Sequence, residues 1–115
     1  MVVVDFAGNV SKGVKDIDKA VLKLVNGTSL MNEFSESYSN LVKVFGLPNG
    51  KSDGYKVDAE WIIITPEGVA TIYNYKDGKN YLEEQGLEVK DITEWHIGGH
   101  SEEVVKYIIG ALKGA

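Results

Sequence analysis

Both histidines of the chain and one of its two tryptophans fall in a single run, Glu94-Trp95-His96-Ile97-Gly98-Gly99-His100-Ser101. Imidazole is the usual side chain for acid–base work near neutral pH. Two adjacent glycines free the backbone to take positive φ and let a ligand come close. Ser101, followed by Glu102 and Glu103, reads as the start of a helix, whose first N–H groups and dipole favour an anion. The pattern therefore points to a phosphate held by the backbone after Gly98 and Gly99, with His96 and His100 beside it. The plainer alternative is a tight strand-to-helix turn with a solvated His100.

Strand alternation supplies neighbours for His96. Glu94 shares its face, and the flanking strands are expected to offer Asn74 and Lys76, and Asp58 and Glu60. In a binding site His96, Asn74 and Lys76 would hydrogen-bond the ligand, while Tyr73 and Tyr75 would stack on it. Against this stands the ordinary wet face of an antiparallel sheet, its charges paired across strands. Trp61, Tyr73, Tyr75, Tyr81 and Trp95 could each stack a planar base; Trp61 and Trp95 are expected in the core, which leaves Tyr73 and Tyr75 as the better candidates.

Other chemistry finds less support. His96 and His100 are spaced as zinc ligands on a helix, but two glycines intervene and only Glu94 and Asp91 lie near as further ligands. Closed metal sites need more than that, so neither metal nor cofactor is expected. No P-loop, dinucleotide fingerprint or nucleophile elbow is present. A hydrolase would have to run on His96 oriented by Glu94. Residues two apart on a strand diverge by roughly 6–7 Å at Cβ, which makes that a poor dyad. Binding without chemistry is the expected activity.

The elements that must position these residues follow from periodicity. Residues 2–6 read as a short apolar strand or docking arm. Apolar positions 17, 20, 21, 24 and 25 have helical spacing and end at Asn26-Gly27. A second helix is expected from residue 35 or 36 to 45, with Tyr38, Leu41, Val42 and Phe45 as its stripe; residues 29–34 fit either class. Residues 51–54 form a polar turn. Strands are expected over 55–65, 69–76 and 92–97, the first two joined by a hairpin at Pro66-Glu67-Gly68. Residues 81–89 are ambiguous. A C-terminal helix is capped by Ser101 and ended by Gly114, with Val104, Val105, Ile108, Ile109 and Leu112 as its stripe. The expected fold class is α+β, a small antiparallel meander sheet packed on one face by two or three helices. The expected organisation is a single domain over 1–115, with a strand/helix arm over 1–30 and an α-β-β-β-α core over 31–115.

Composition narrows the partners. At 115 residues, 43% of them hydrophobic, the chain suits one domain with its own core. A net charge of −5 argues against binding long nucleic acid, though local groups can still hold a small anion. There is no cysteine, which leans towards a reducing, cytoplasmic setting. Met1-Val2-Val3-Val4-Asp5 lacks the basic and apolar regions of a signal peptide, and no apolar run approaches the ~20 residues of a membrane span.

The runs VFGLPN, KVDAEWIIITPEGVATIYNYKDGKNY and DITEWHIGGHS resemble a group of short bacteriophage and microbial proteins that carry FGxPN, ATIYNYK and EWHIGG elements. The likeness covers residue 37 to the C-terminus, and EWHIGG is its most specific element. It implies a phage-encoded accessory protein acting in the host cytoplasm against host defence. Two modes are expected from it: sequestering a nucleotide signal, or holding a host defence protein. The apolar arm Val2-Val3-Val4 has no evident place in the meander, which favours a self-assembling protein, at least a dimer.

Overall fold

The computed structural model describes residues 2–12, 27–50 and 55–114. The helix expected over 15–25 and the turn at 51–54 lie outside the described residues. The elements are β1 (Val2–Val4), β2 (Val10–Ser11), β3 (Ser29–Ser35), α1 (Tyr38–Phe45), β4 (Glu60–Thr65), β5 (Gly68–Tyr73), α2 (Lys79–Leu82), β6 (Glu94–Gly99) and α3 (Glu103–Lys113). Single 3-10 turns at Glu83–Gln85 and Val89–Asp91 occupy the ambiguous stretch.

The class is α+β, as the sequence implied, but the sheet is larger and mixed. It has six strands in the order β2-β1-β4-β5-β6-β3. The meander is real only for β4, β5 and β6. β1 lies parallel to β4, with Val2 opposite Ile63 and Val3 opposite Ile64. Val2 and Val4 are buried, so this β-branched run is an interior strand between β2 and β4 rather than a free arm. That removes the reason given for strand addition to a partner, and it joins the first residues to the same sheet as the rest. β3 adds to β6 on the far side, with a register shift between Leu30 and Asn32. That bulge breaks the period-two pattern of residues 29–34.

One face of the sheet is covered by α1 and α3. Ala59, Trp61, Ile63, Ala70, Ile72, Trp95 and Ile97 meet Leu41, Val44, Phe45, Val104, Ile108 and Ala111 in one buried cluster. The two Glu-Trp dipeptides, 60–61 and 94–95, place their indoles edge to face at 5.4 Å in its centre. Each indole N–H also finds a partner: Trp95 donates to the Glu36 carbonyl at 2.9 Å and Trp61 to the Gly46 carbonyl at 2.8 Å. These carbonyls flank α1 at its two ends, so the tryptophans fix that helix lengthwise on the sheet. Ser37 caps the helix start by accepting from the Asn40 N–H, and Gly46 ends it at φ 84°.

The FGLPN segment also completes the sheet edge. On β4 just ahead of the start of β1, Asn49 serves as the partner: its amide oxygen accepts from the Ile62 N–H at 2.7 Å and its amide nitrogen donates to the Ile62 carbonyl at 3.1 Å. Among the described residues no helix is long and apolar enough to cross a membrane.

Candidate aromatic binding surface

On β6 the pleat sends Trp95 and Ile97 to the helices and His96 to the opposite face. Register then decides what stands beside His96. Tyr73 is its partner on β5 and Glu33 its partner on β3, while Glu60 pairs with Tyr73 from β4. Glu60, Tyr73, His96 and Glu33 thus form one row across four strands. Glu33 Oε1 lies 3.1 Å from His96 Nε2, and the rings of Tyr73 and His96 meet edge to face at 5.4 Å.

The row continues beyond the strand end. Tyr75 returns to the same side and lies over His96 at 5.6 Å with a tilt of 31°. Lys76 follows in the left-handed region, at φ 62°. Its Nζ sits 5.3 Å from the ring centres of both Tyr75 and Tyr81. Tyr81 in turn packs on Tyr55 at 5.1 Å, and Lys56 Nζ lies 5.9 Å from the Tyr55 ring. The result is a run of rings interleaved with lysines, of which Tyr75 and Tyr55 are 41% and 55% exposed.

Electrostatics grade along this surface. Carboxylates flank the Tyr73–His96 end, and Lys76 and Lys56 mark the other. Burial raises the Tyr73 hydroxyl above the usual tyrosine range, and Glu60, Tyr75 and Glu33 push it the same way. Tyr73 is therefore a hydrogen-bond donor at neutral pH and not a base.

Several sequence-derived assignments change. Asn74 belongs to the opposite side of the β5 end and is fully buried. Its oxygen accepts from the Asp58 and Ala59 N–H groups, and its nitrogen donates to Asp58 Oδ1 and Asp77 Oδ1. All four positions of the amide are used, so Asn74 locks a loop corner and has nothing left for a ligand. Gly98 and Gly99 do not break the strand. They are its last two residues, paired on both sides with Thr71 and Leu30 and with Ala70 and Ser29. Neither adopts positive φ. A Cβ on Gly98 would meet Thr71 Oγ1 at 2.6 Å, and one on Gly99 would meet Val104 Cγ2 at 2.7 Å. Close packing explains them.

His100 is exposed and stands against Gly27, past the strand and outside the ring row. Helix α3 starts at Glu103, and Ser101 stands just before it as the sequence implies: its hydroxyl accepts from the Glu103 N–H at 3.2 Å. Glu94 does not orient His96 either. It accepts from the Ser35 hydroxyl at 2.9 Å, and Glu33 takes the place beside the imidazole. Residues directly opposite across strands lie closer than those two apart along one. Tyr73, Tyr75, His96 and Lys76 are the expected residues that the structure does bring together. Tyr81, one of the aromatics able to stack a base, joins them, as do Glu33 and Tyr55, which the sequence pattern does not single out.

The surface is open. Clefts of about 270, 300 and 400 Å³ lie elsewhere, and none is lined by these rings. Glu33 is 65% exposed. Comparison with protein-family models, with curated proteins and with solved structures finds no match to this chain.

Proposed function

We propose that the protein is a non-catalytic binding module that holds a nucleotide flat on the Tyr73–Tyr75–His96 surface. The observation that carries this reading is the run of touching rings on one sheet face, exposed at Tyr75 and half-buried at Tyr73 and His96, with Lys76 at one end and carboxylates at the other. A base stacks on Tyr75 and His96, where ring stacking contributes about 1–3 kcal/mol per base. Its phosphate lies towards Lys76. Exocyclic amino groups of the base point to Glu33, a ready acceptor. Purines with an amino group should therefore bind more tightly than uracil or thymine nucleotides.

The resemblance to short phage proteins supports a narrower form of the reading, sequestration of a nucleotide immune signal in the host cytoplasm. Thermal-shift and calorimetric titration with linear and cyclic nucleotides test it. A ligand at 100 times its dissociation constant stabilises the fold by about 2.7 kcal/mol. The ligand should be recovered chemically intact, with or without added divalent metal. Absence of stabilisation by every nucleotide would contradict the binding reading, and turnover would contradict the non-catalytic one.

A further inference from the structure

A different part of the molecule carries its own signal, independent of the nucleotide reading. Between β1 and β2 the chain makes a tight tip at Asp5-Phe6-Ala7-Gly8-Asn9. Asp5 Oδ1 accepts from the N–H groups of Ala7 and Asn9, each at 2.9 Å. The Asp5 N–H donates to the Asn9 carbonyl and the Gly8 N–H to the Asp5 carbonyl, both at 3.0 Å. Gly8 supplies the positive φ of 83° that the turn needs. This tip is tied down by four hydrogen bonds, yet it presents Phe6 with 81% of its surface exposed. A rigid loop that spends its order on displaying a phenyl ring calls for a partner.

The space beside that ring is also defined. Phe6 touches Tyr107 of α3 edge to face at 6.4 Å. Phe6, Ala7, Gly8, Lys106, Tyr107 and Gly110 line a cleft of about 400 Å³. Gly110 forms its opening on the helix, where an added Cβ would meet no heavy atom within 4 Å. The neighbouring cleft, which shares Gly8, is lined by Lys12 among others. Among the described residues, the linings of these two clefts hold two lysines and no acid, although the chain as a whole carries a net charge of −5.

We propose that this patch is where two copies of the chain pair. The occupant that fits the cleft is a ring with a carboxylate beside it, and the Asp5-Phe6 tip is such a group. A two-fold axis through the patch sends each Phe6 into the cleft of the other copy and each Asp5 towards the partner's Lys106. Knob and cleft lie on one patch, as an isologous interface requires. Lys106 makes an exposed pair with Glu103 at 2.9 Å, which contributes little, and its Nζ lies 5.4 Å from the centre of the Tyr107 ring. A buried Phe ring removes about 150–250 Å² from water, a fraction of the roughly 1,200 Å² of a small stable interface. The pair is therefore concentration-dependent.

Sedimentation equilibrium of the full chain from about 10 μM to about 1 mM tests the proposal. A monomer–dimer equilibrium is expected for the wild type. Phe6→Asp should weaken it about tenfold or more. Gly110→Leu should do the same by filling the cleft while improving the helix, so loss of dimer cannot be laid to misfolding. Lys106→Glu should weaken it and remove its salt dependence. A wild-type chain that stays monomeric throughout, or a dimer that survives both Phe6→Asp and Gly110→Leu, overturns the proposal.

Discussion

Trp95 and His96 are neighbours in sequence, and the pleat of β6 sends them to opposite faces with opposite fates. On the helix side, Trp61 and Trp95 are fully buried, paired with each other, and hydrogen-bonded to the ends of α1. On the other side, Tyr73 and Tyr75 each meet His96 at similar distances, and among the described residues neither α1 nor α3 covers them. The same contact chemistry thus does two jobs. Where rings meet helices they define the fold; where they meet water they form a surface that another molecule can use. Substitutions should separate the two sets, since the first governs stability and the second governs affinity.

The largest effect is expected inside. Trp61→Ala removes the ring and leaves the Gly46 carbonyl without its donor, so denaturant unfolding should show a loss of about 3–5 kcal/mol. A loss below about 1 kcal/mol would mean that the indoles do not hold α1. Next comes Asn74→Ala, which orphans the Asp58 and Ala59 N–H groups. About 2–4 kcal/mol of stability should go, on roughly 1 kcal/mol per hydrogen bond and more for a buried donor left unpaired. Nucleotide affinity of the protein that remains folded should not change, because Asn74 serves the fold and not the ligand.

On the open face the pattern reverses. Tyr75→Ala should alter stability by no more than about 0.5 kcal/mol and weaken nucleotide binding by about 1–3 kcal/mol in calorimetry. Lys76→Gly sharpens the contrast. A non-glycine residue in the left-handed region costs about 1–2 kcal/mol, so glycine should raise the unfolding midpoint while affinity falls. Lys76 would then be a residue kept in a costly conformation for what its ammonium does.

The smallest effect is a titration. The Tyr73 hydroxyl is raised above the ordinary tyrosine value, so its folded-state value exceeds its unfolded one. Its contribution to stability is complete below the unfolded value and is lost as pH climbs through the folded value, an alkaline loss with none at acid pH. Glu60→Gln should bring the Tyr73 titration, followed by ultraviolet difference absorbance, part of the way back and leave the burial component in place.

Legibility in the sequence followed local pattern strength. α1, α3, the hairpin at Pro66-Glu67 and the burial of both tryptophans could be read because period and turn chemistry agreed. The β1–β4 pairing could not, since parallel neighbours far apart in sequence leave no local mark. β3 was obscured by its bulge, which hid Glu33 from the site. His96, Tyr73, Tyr75 and Lys76 were legible as residue types in the right region. Asn74 was misplaced by one step of alternation, which puts a side chain on the wrong side of the sheet. Gly98-Gly99 misled for a different reason. Two glycines can mean a turn or a close approach, and only the positions of Thr71 Oγ1 and Val104 Cγ2 decide between them.

The most direct test of the central claim is an NMR titration of the wild-type protein with adenosine and guanosine monophosphates, watching aromatic ring protons. Saturable shifts are expected at Tyr73, Tyr75 and His96, with Trp61 and Trp95 unmoved and the response abolished in Tyr75→Ala. Saturable shifts confined to Phe6 and Tyr107, or no ring shift at all, would contradict it.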